Sequence, residues 1–290
     1  MNFTVEARLR IAGVEILLRA DDAQLVDEYL ARAAGYTSGG GPHDVVMEYT
    51  TDETFEFTAS RLPYPALDVT EVAHGVYRFA RNEVGGTIHL PAAPREPLVG
   101  RFTGRAGRSG LETPLRVLVS FALPRAGGLL LHSSGIAEGD RALVFSGQSG
   151  AGKTTIVRLI SGAETSTHAP LTGPLRILGD DLVALCPDGD RVFACATPFN
   201  GEFGPCADGA APLESLSFLR QAAAHALTPL ARADATRRLL RNTLGYAVNR
   251  AAAAALLTSA AAIAARVPCR ELAFARDSSV RDFLGLRAPE

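Results

Sequence analysis

Lysine is almost missing from this 290-residue chain: of 29 cationic residues only Lys153 carries an ammonium, and the rest are arginines. A guanidinium's planar fork does not replace a compact point charge inside a phosphate loop, so composition itself singles out Lys153. No basic block exists either. With a net charge of −2 the electrostatic footprint of a nucleic-acid binder is missing, and no nucleic-acid partner is expected. The longest uncharged apolar stretch, 251–265, is alanine-rich and falls short of the roughly 20 residues a spanning helix needs. The N-terminal residues 1–6 lack the basic start and apolar run of a secretory signal. These absences predict a cytoplasmic protein with no membrane partner. The cysteines, Cys186, Cys195, Cys206 and Cys269, show neither C-x-x-C pairing nor a nearby His at zinc-ligand spacing, which predicts buried free thiols.

What is present suits a packed globular chain, with 47% hydrophobic and 21% charged residues. Its length predicts two domains or one large α/β unit. Residues 3–18 alternate apolar and polar positions around Ala12-Gly13, a strand, turn and strand. Asp21-Asp22 opens a helix with Leu25, Val26, Tyr29 and Leu30 at helical spacing. Short alternating runs at 45–49, 54–58, 76–80 and 86–90 predict an α+β N-terminal domain over 1–105, whose role is not readable from sequence. The stretch 91–110 reads as a linker and 111–123 as helix. The second domain, 106–290, continues with short buried strands at 129–132 and 142–146. After Asp208 helices are expected, starting at Pro212 and at Thr228-Pro229, with alanine-rich segments at 222–226 and 251–265.

Gly147-Gln148-Ser149-Gly150-Ala151-Gly152-Lys153-Thr154 satisfies G-x-x-x-x-G-K-[ST] in full, between an apolar strand and the helical run from Thr155. Glycines let successive N–H groups close on phosphate oxygens, and a helix N-terminus adds partial positive charge there. Lys153 is expected to reach the β and γ phosphates of ATP, and the Thr154 hydroxyl to ligate Mg²⁺. A second apolar strand, 175–178, ends in Gly179-Asp180-Asp181. Paired acids at a strand end are where a nucleotide site needs a metal ligand and a base for the attacking group, although a turn between strands also accounts for them. His132 stands on the strand before the loop strand and could reach the acid pair, or be an ordinary core histidine. Glu202 is a further metal-ligand candidate, with a solvated turn acid as the alternative. The polar segment 163–174 reads as a lid over the nucleotide or a surface loop.

The runs Leu131-His132-Ser133-Ser134-Gly135-Ile136, 143–154 and Leu178-Gly179-Asp180-Asp181-Leu182-Val183 resemble the HPr serine kinase/phosphorylase family, and more closely its relatives without the regulatory apparatus, some of which phosphorylate ribosomally made peptides. The resemblance covers about 125–205. It implies an α/β P-loop kinase domain related to phosphoenolpyruvate carboxykinase, beside a smaller α+β N-terminal region and a helical C-terminal part. It assigns site roles to His132, Lys153, Thr154 and Asp181, with Asp180 alongside; Asp181 is preferred as base and as metal ligand. The bifunctional enzymes continue their loop Lys-Ser-Glu and carry a Glu-Ile-Arg-Gly segment after the doublet. Here the loop runs Lys153-Thr154-Thr155 and only 197–202 stands in that region. The resemblance therefore points to ATP- and Mg²⁺-dependent transfer to a hydroxyl, most simply a serine of a protein or peptide. A small-molecule kinase and a non-catalytic nucleotide-binding module are the alternatives. Family members often assemble, which leaves a homo-oligomer open.

Overall fold

The computed structural model describes residues 3–55, 68–81, 84–91, 93, 96–162, 175–199, 201–204, 206 and 208–286. The chain divides into two compact units, one made of 1–125 with 246–253 and the other of 126–245 with 254–290.

The first unit contains β1 (Val5–Ile11), β2 (Val14–Ala20), α1 (Ala23–Arg32), β3 (Val45–Thr51), β4 (Asp68–Ala73), β5 (Val76–Arg81), β6 (Val84–His89), β7 (Leu98–Gly104) and α2 (Arg108–Ala122). Ala12 and Gly13 both take positive φ, 52° and 82°, the conformation that a two-residue hairpin turn requires. Asp22 caps α1 by accepting from the Leu25 N–H at 3.0 Å. The seven strands form one mixed sheet in the order β1-β2-β3-β7-β6-β5-β4, parallel across β2, β3 and β7. Leu111, Leu115, Leu118 and Ala122 make a buried stripe on α2 at helical spacing, and α2 packs on β3, β6 and β7. The residues 98–104, expected in a linker, instead form β7 and join the sheet. In the expected strand 54–58, the Phe55 N–H donates to the Asp52 carbonyl at 3.0 Å, closing a turn, and 56–58 lie outside the described residues.

The second unit contains β8 (Leu129–Glu138), β9 (Arg141–Ser146), α3 (Lys153–Ser161), β10 (Leu175–Gly179), β11 (Leu182–Asp188), β12 (Arg191–Cys195), β13 (Ala210–Gln221), β14 (Ala226–Pro229), α4 (Arg232–Asn242), α5 (Arg250–Arg266), β15 (Cys269–Phe274) and α6 (Ser279–Phe283); α5 begins in the first unit. Pairing runs β8-β11-β12-β13-β9 and returns to β8, so these five strands close into a barrel. β10 adds to β8, while β15 and then β14 extend from β13. Leu131, Val144, Val183, Leu185 and Leu216 bury together with Leu239 of α4 and Ile263 of α5. Ile136 and Phe145 pack instead with Ile156, Val157 and Ile160 of α3 and with Phe274.

The expected α/β P-loop kinase domain of the HPr kinase/phosphoenolpyruvate carboxykinase type is therefore not what the chain forms. Strand exceeds helix, 41% against 29%, in a closed five-stranded barrel and a large mixed sheet. A doubly wound α/β domain grows by parallel strands joined through helices. Here the strand that follows α3, β10, pairs antiparallel with β8, and β11 and β12 form an antiparallel hairpin. Short apolar runs bounded by turns look alike in parallel sheets and in barrels, which is why periodicity does not separate them. The helical C-terminal part is corrected as well. Pro212 lies in β13 and Pro229 in β14, and β15 follows; α5 covers the alanine-rich 251–265 as expected.

Candidate phosphate-binding site

The site lies where β9 ends and α3 begins. Gly147 to Gly152 bridge the two, and Gly150 and Gly152 take φ of 80° and 101°. A side chain at Gly152 would bring its Cβ to 2.7 Å from Phe274 Cζ, so only glycine allows the loop to close over β15. Gly152 also provides no capping side chain for α3, which leaves first-turn N–H groups directed at the loop rather than bonded to a cap. The Lys153 ammonium folds back over the loop, donating to the carbonyls of Gly147 at 3.0 Å and Gln148 at 3.3 Å. Burial holds its pKa below the ordinary lysine value, and the Asp181 carboxylate pulls in the opposite direction. Thr154 and Thr155 follow in the first turn, half-buried. Gln148, Ser149 and Gly150 are exposed at the loop tip, and Gln221 of β13 braces it by donating from Nε2 to the Gly150 carbonyl at 2.8 Å.

The acid doublet comes to the loop through β8. Residues 129–132 of that strand pair with β11, and 135–138 pair with β10 on the same edge. Gly179-Asp180-Asp181 is the step between those two partners, anchored by the Ser133 N–H donating to the Asp181 carbonyl at 3.0 Å. His132 is registered against Leu182, and the Ser134 hydroxyl donates to the Lys153 carbonyl at 2.9 Å. One strand thus ties the doublet, the histidine and the loop helix together.

The two aspartates part company at that step. Asp180 is 3% exposed and its carboxylate accepts from the N–H groups of Gly201, Glu202 and Phe203, at 2.8, 2.6 and 3.2 Å. It holds the turn after β12, and a Cβ on Gly201 would sit 2.9 Å from Asp180 Oδ2. Asp181 stays open, its side chain 32% exposed, with Oδ1 3.8 Å from Nδ1 of a His132 that is 43% exposed. Expected together as a catalytic pair, the acids divide into a turn anchor and an accessible carboxylate.

Glu202 forms an ion pair with Arg158 on α3. Among the described residues no group of three or more His, Cys, Asp or Glu is placed to hold a metal ion by itself. Thr154 and Asp181 are both partly exposed and each carries an oxygen of the hard type that Mg²⁺ takes. The segment 163–174, considered as a lid, lies outside the described residues.

In front of the loop tip lies a cavity of about 770 Å³. Besides the loop, Phe218, Leu219 and Gln221 of β13 and Arg237, Arg238 and Arg241 of α4 line it. These arginines were not among the residues expected from sequence, because three cations on one helix read the same as a solvated face.

A Ser-His-Asp grouping elsewhere in this unit does not have the hydrogen bonding of a catalytic triad. His225 Nε2 lies 2.9 Å from Ser279 Oγ, but its Nδ1 accepts from the Ala275 N–H at 3.2 Å. That bond puts the imidazole proton on Nε2, so the ring cannot take the serine proton, and the Ser279 hydroxyl already donates to Asp277.

No protein-family profile matches the chain, and no curated protein is significantly similar to it. Among the described residues no helix is long and apolar enough to cross a membrane.

Proposed function

We propose that the protein is an ATP- and Mg²⁺-dependent phosphotransferase that delivers the γ-phosphoryl group to a hydroxyl, in the first instance a serine of a protein or peptide in the cytoplasm. The observation that carries this reading is the glycine loop with its ammonium folded over it, in the electrostatic field of a partly exposed acid that lies beside a histidine. A loop of this form offers backbone N–H groups and Lys153 to the polyphosphate. Thr154 and Asp181 would hold Mg²⁺, whose charge offsets that of the phosphate oxygens. Asp181 also orients the acceptor hydroxyl and receives its proton, and His132 beside it steadies the charged carboxylate. Asp180 is excluded from that role because both of its oxygens are engaged by backbone N–H groups.

The local likeness of about 125–205 to HPr kinase-related proteins supports the chemistry and says nothing for the fold. The test is incubation of the pure protein with γ-labelled ATP, Mg²⁺ and host extract, separating protein, peptide and small-molecule fractions, with Asp181→Asn in parallel. Label in a protein or peptide band that disappears with the variant is the expected result. Label confined to a small metabolite would transfer the activity to a small-molecule kinase. Nucleotide binding without label in any fraction would count for a regulatory module.

A further inference from the structure

The cavity in front of the loop is more basic than a phosphate loop needs. Arg237, Arg238 and Arg241 all line it, and no acid does so among the described residues. Spacings of three and four residues put Arg241 on the same face of α4 as the other two. Arg237 and Arg241 are exposed and Arg238 is partly exposed, so what sets them apart is the cavity they share with the loop. Arg238 donates to Glu271 at 2.9 Å and lies with its guanidinium carbon 5.8 Å from the centre of the Phe218 ring. Arg237 pairs with Asp234 one turn back. Arg241 reaches the loop itself. With the Gln148 amide oxygen turned toward it, that oxygen accepts from Arg241 Nη2 at 3.0 Å and Nε at 2.8 Å. A guanidinium carries five donors in a planar fork, so this bond aims Arg241 while the rest of the fork can serve a ligand. Such forks match carboxylates and phosphates bidentately.

We infer that the α4 arginines form an anion subsite of the phosphate-loop site, taking a phosphate or carboxylate in the cavity beside the loop tip. The inference rests on the phosphotransferase reading and deepens it. Two sources share this chemistry: the terminal phosphate of the nucleotide, and an acidic group on the acceptor beside its reacting hydroxyl. Either way Gln148 is a positioning residue, coupling the loop to α4.

The test compares wild type with Arg237→Gln/Arg241→Gln by calorimetry. Titrants are Mg-ATP, Mg-ADP, and inorganic phosphate added to protein already saturated with the non-hydrolysable Mg-AMP-PNP. Loss of a charge-assisted contact should weaken the affected ligand by about tenfold or more. If Mg-ATP weakens and Mg-ADP does not, the subsite serves the terminal phosphate. If both nucleotides bind as before and phosphate no longer binds the loaded protein, it serves an acidic acceptor. All three affinities within twofold of wild type would overturn the inference. Retained Mg-ADP binding shows that the double variant is folded. Should it not be, Arg241→Lys keeps the charge, removes the fork and is expected to reproduce the loss. A wild type that binds no nucleotide would sink the phosphotransferase reading alone; in that event phosphate binding to the unloaded protein, lost in the double variant, would still establish the subsite, and unchanged binding would overturn it.

Discussion

Asp180 and Asp181 are neighbours in the chain and belong to different regions of the molecule. The first is sealed into the turn at 201–203 and satisfied by three backbone N–H groups, while the second is partly exposed beside His132. Both stand in the bend between β10 and β11, where one side chain meets the backbone at 201–203 and the next lies beside His132. The two acids of this doublet thus have different surroundings. Burial and hydrogen bonding sort them.

The comparison breaks most sharply on activity. Asp181→Asn should lower phosphoryl transfer by about 10³-fold, the usual weight of a positioned base, and leave the thermal midpoint unchanged. An unchanged rate would remove Asp181 from the mechanism. Lys153→Ala should abolish transfer and weaken Mg-ATP binding in calorimetry, again without a shift in stability. Undiminished activity in that variant would sink the whole reading of the loop.

Asp180→Ala should do the reverse. Removing an acceptor of three N–H bonds costs about 3 kcal/mol, since bonds to a charged group are the stronger kind, and urea unfolding should report it. Activity per folded molecule should fall less than in Asp181→Asn. Gly152→Ala should combine both kinds of loss, because φ of 101° and Phe274 Cζ at 2.7 Å admit no Cβ without displacement. A penalty of about 1–3 kcal/mol is expected, with weaker Mg-ATP binding.

The smallest effects concern titration around the site. Hydrogen bonds from Arg220 and then Arg238 hold the Glu271 carboxyl below its ordinary value of 4.5. A carboxylate with a depressed pKa in the folded state contributes stability that is present above that ordinary value and lost as pH falls through the folded one. Glu271→Gln should therefore flatten the acid limb of stability against pH, by no more than about 1 kcal/mol because the pair is partly exposed. Cys206 is pushed up to about 12, by burial first and by the charge of Asp180 second. It should resist alkylation by iodoacetamide at pH 8 in the folded protein and react on unfolding. Rapid alkylation in the folded protein would contradict that burial.

Much of the site was legible in the residues. The G-x-x-x-x-G-K-[ST] spacing, the lone lysine and the strand before it sit where the motif demands, on β9, the loop and α3. The hairpin at Ala12-Gly13 and the helix at Asp22 followed from turn and cap chemistry, which act within a few residues. The fold of the second unit was not legible. Alternative pairings of short apolar strands bury the same side chains, and β8 needs both edges occupied, by β9 on one and by β10 and β11 on the other, before the barrel closes. Pro212 misled for a related reason. A proline that can open a helix also tolerates a strand position where no ladder N–H is required.

By itself, then, the sequence determined a glycine loop with one ammonium between a strand and a helix, and an acid doublet after the next strand, because those properties depend on residue identity and local backbone preference. Only the tertiary structure decided that five strands close on themselves, that Asp180 is buried and Asp181 partly exposed, and that three arginines some ninety residues beyond the loop share a cavity with the loop tip. Each of those outcomes depends on which strand edges meet and which side chains lose water when they do, and long-range pairing of that kind leaves no periodic signal along the chain.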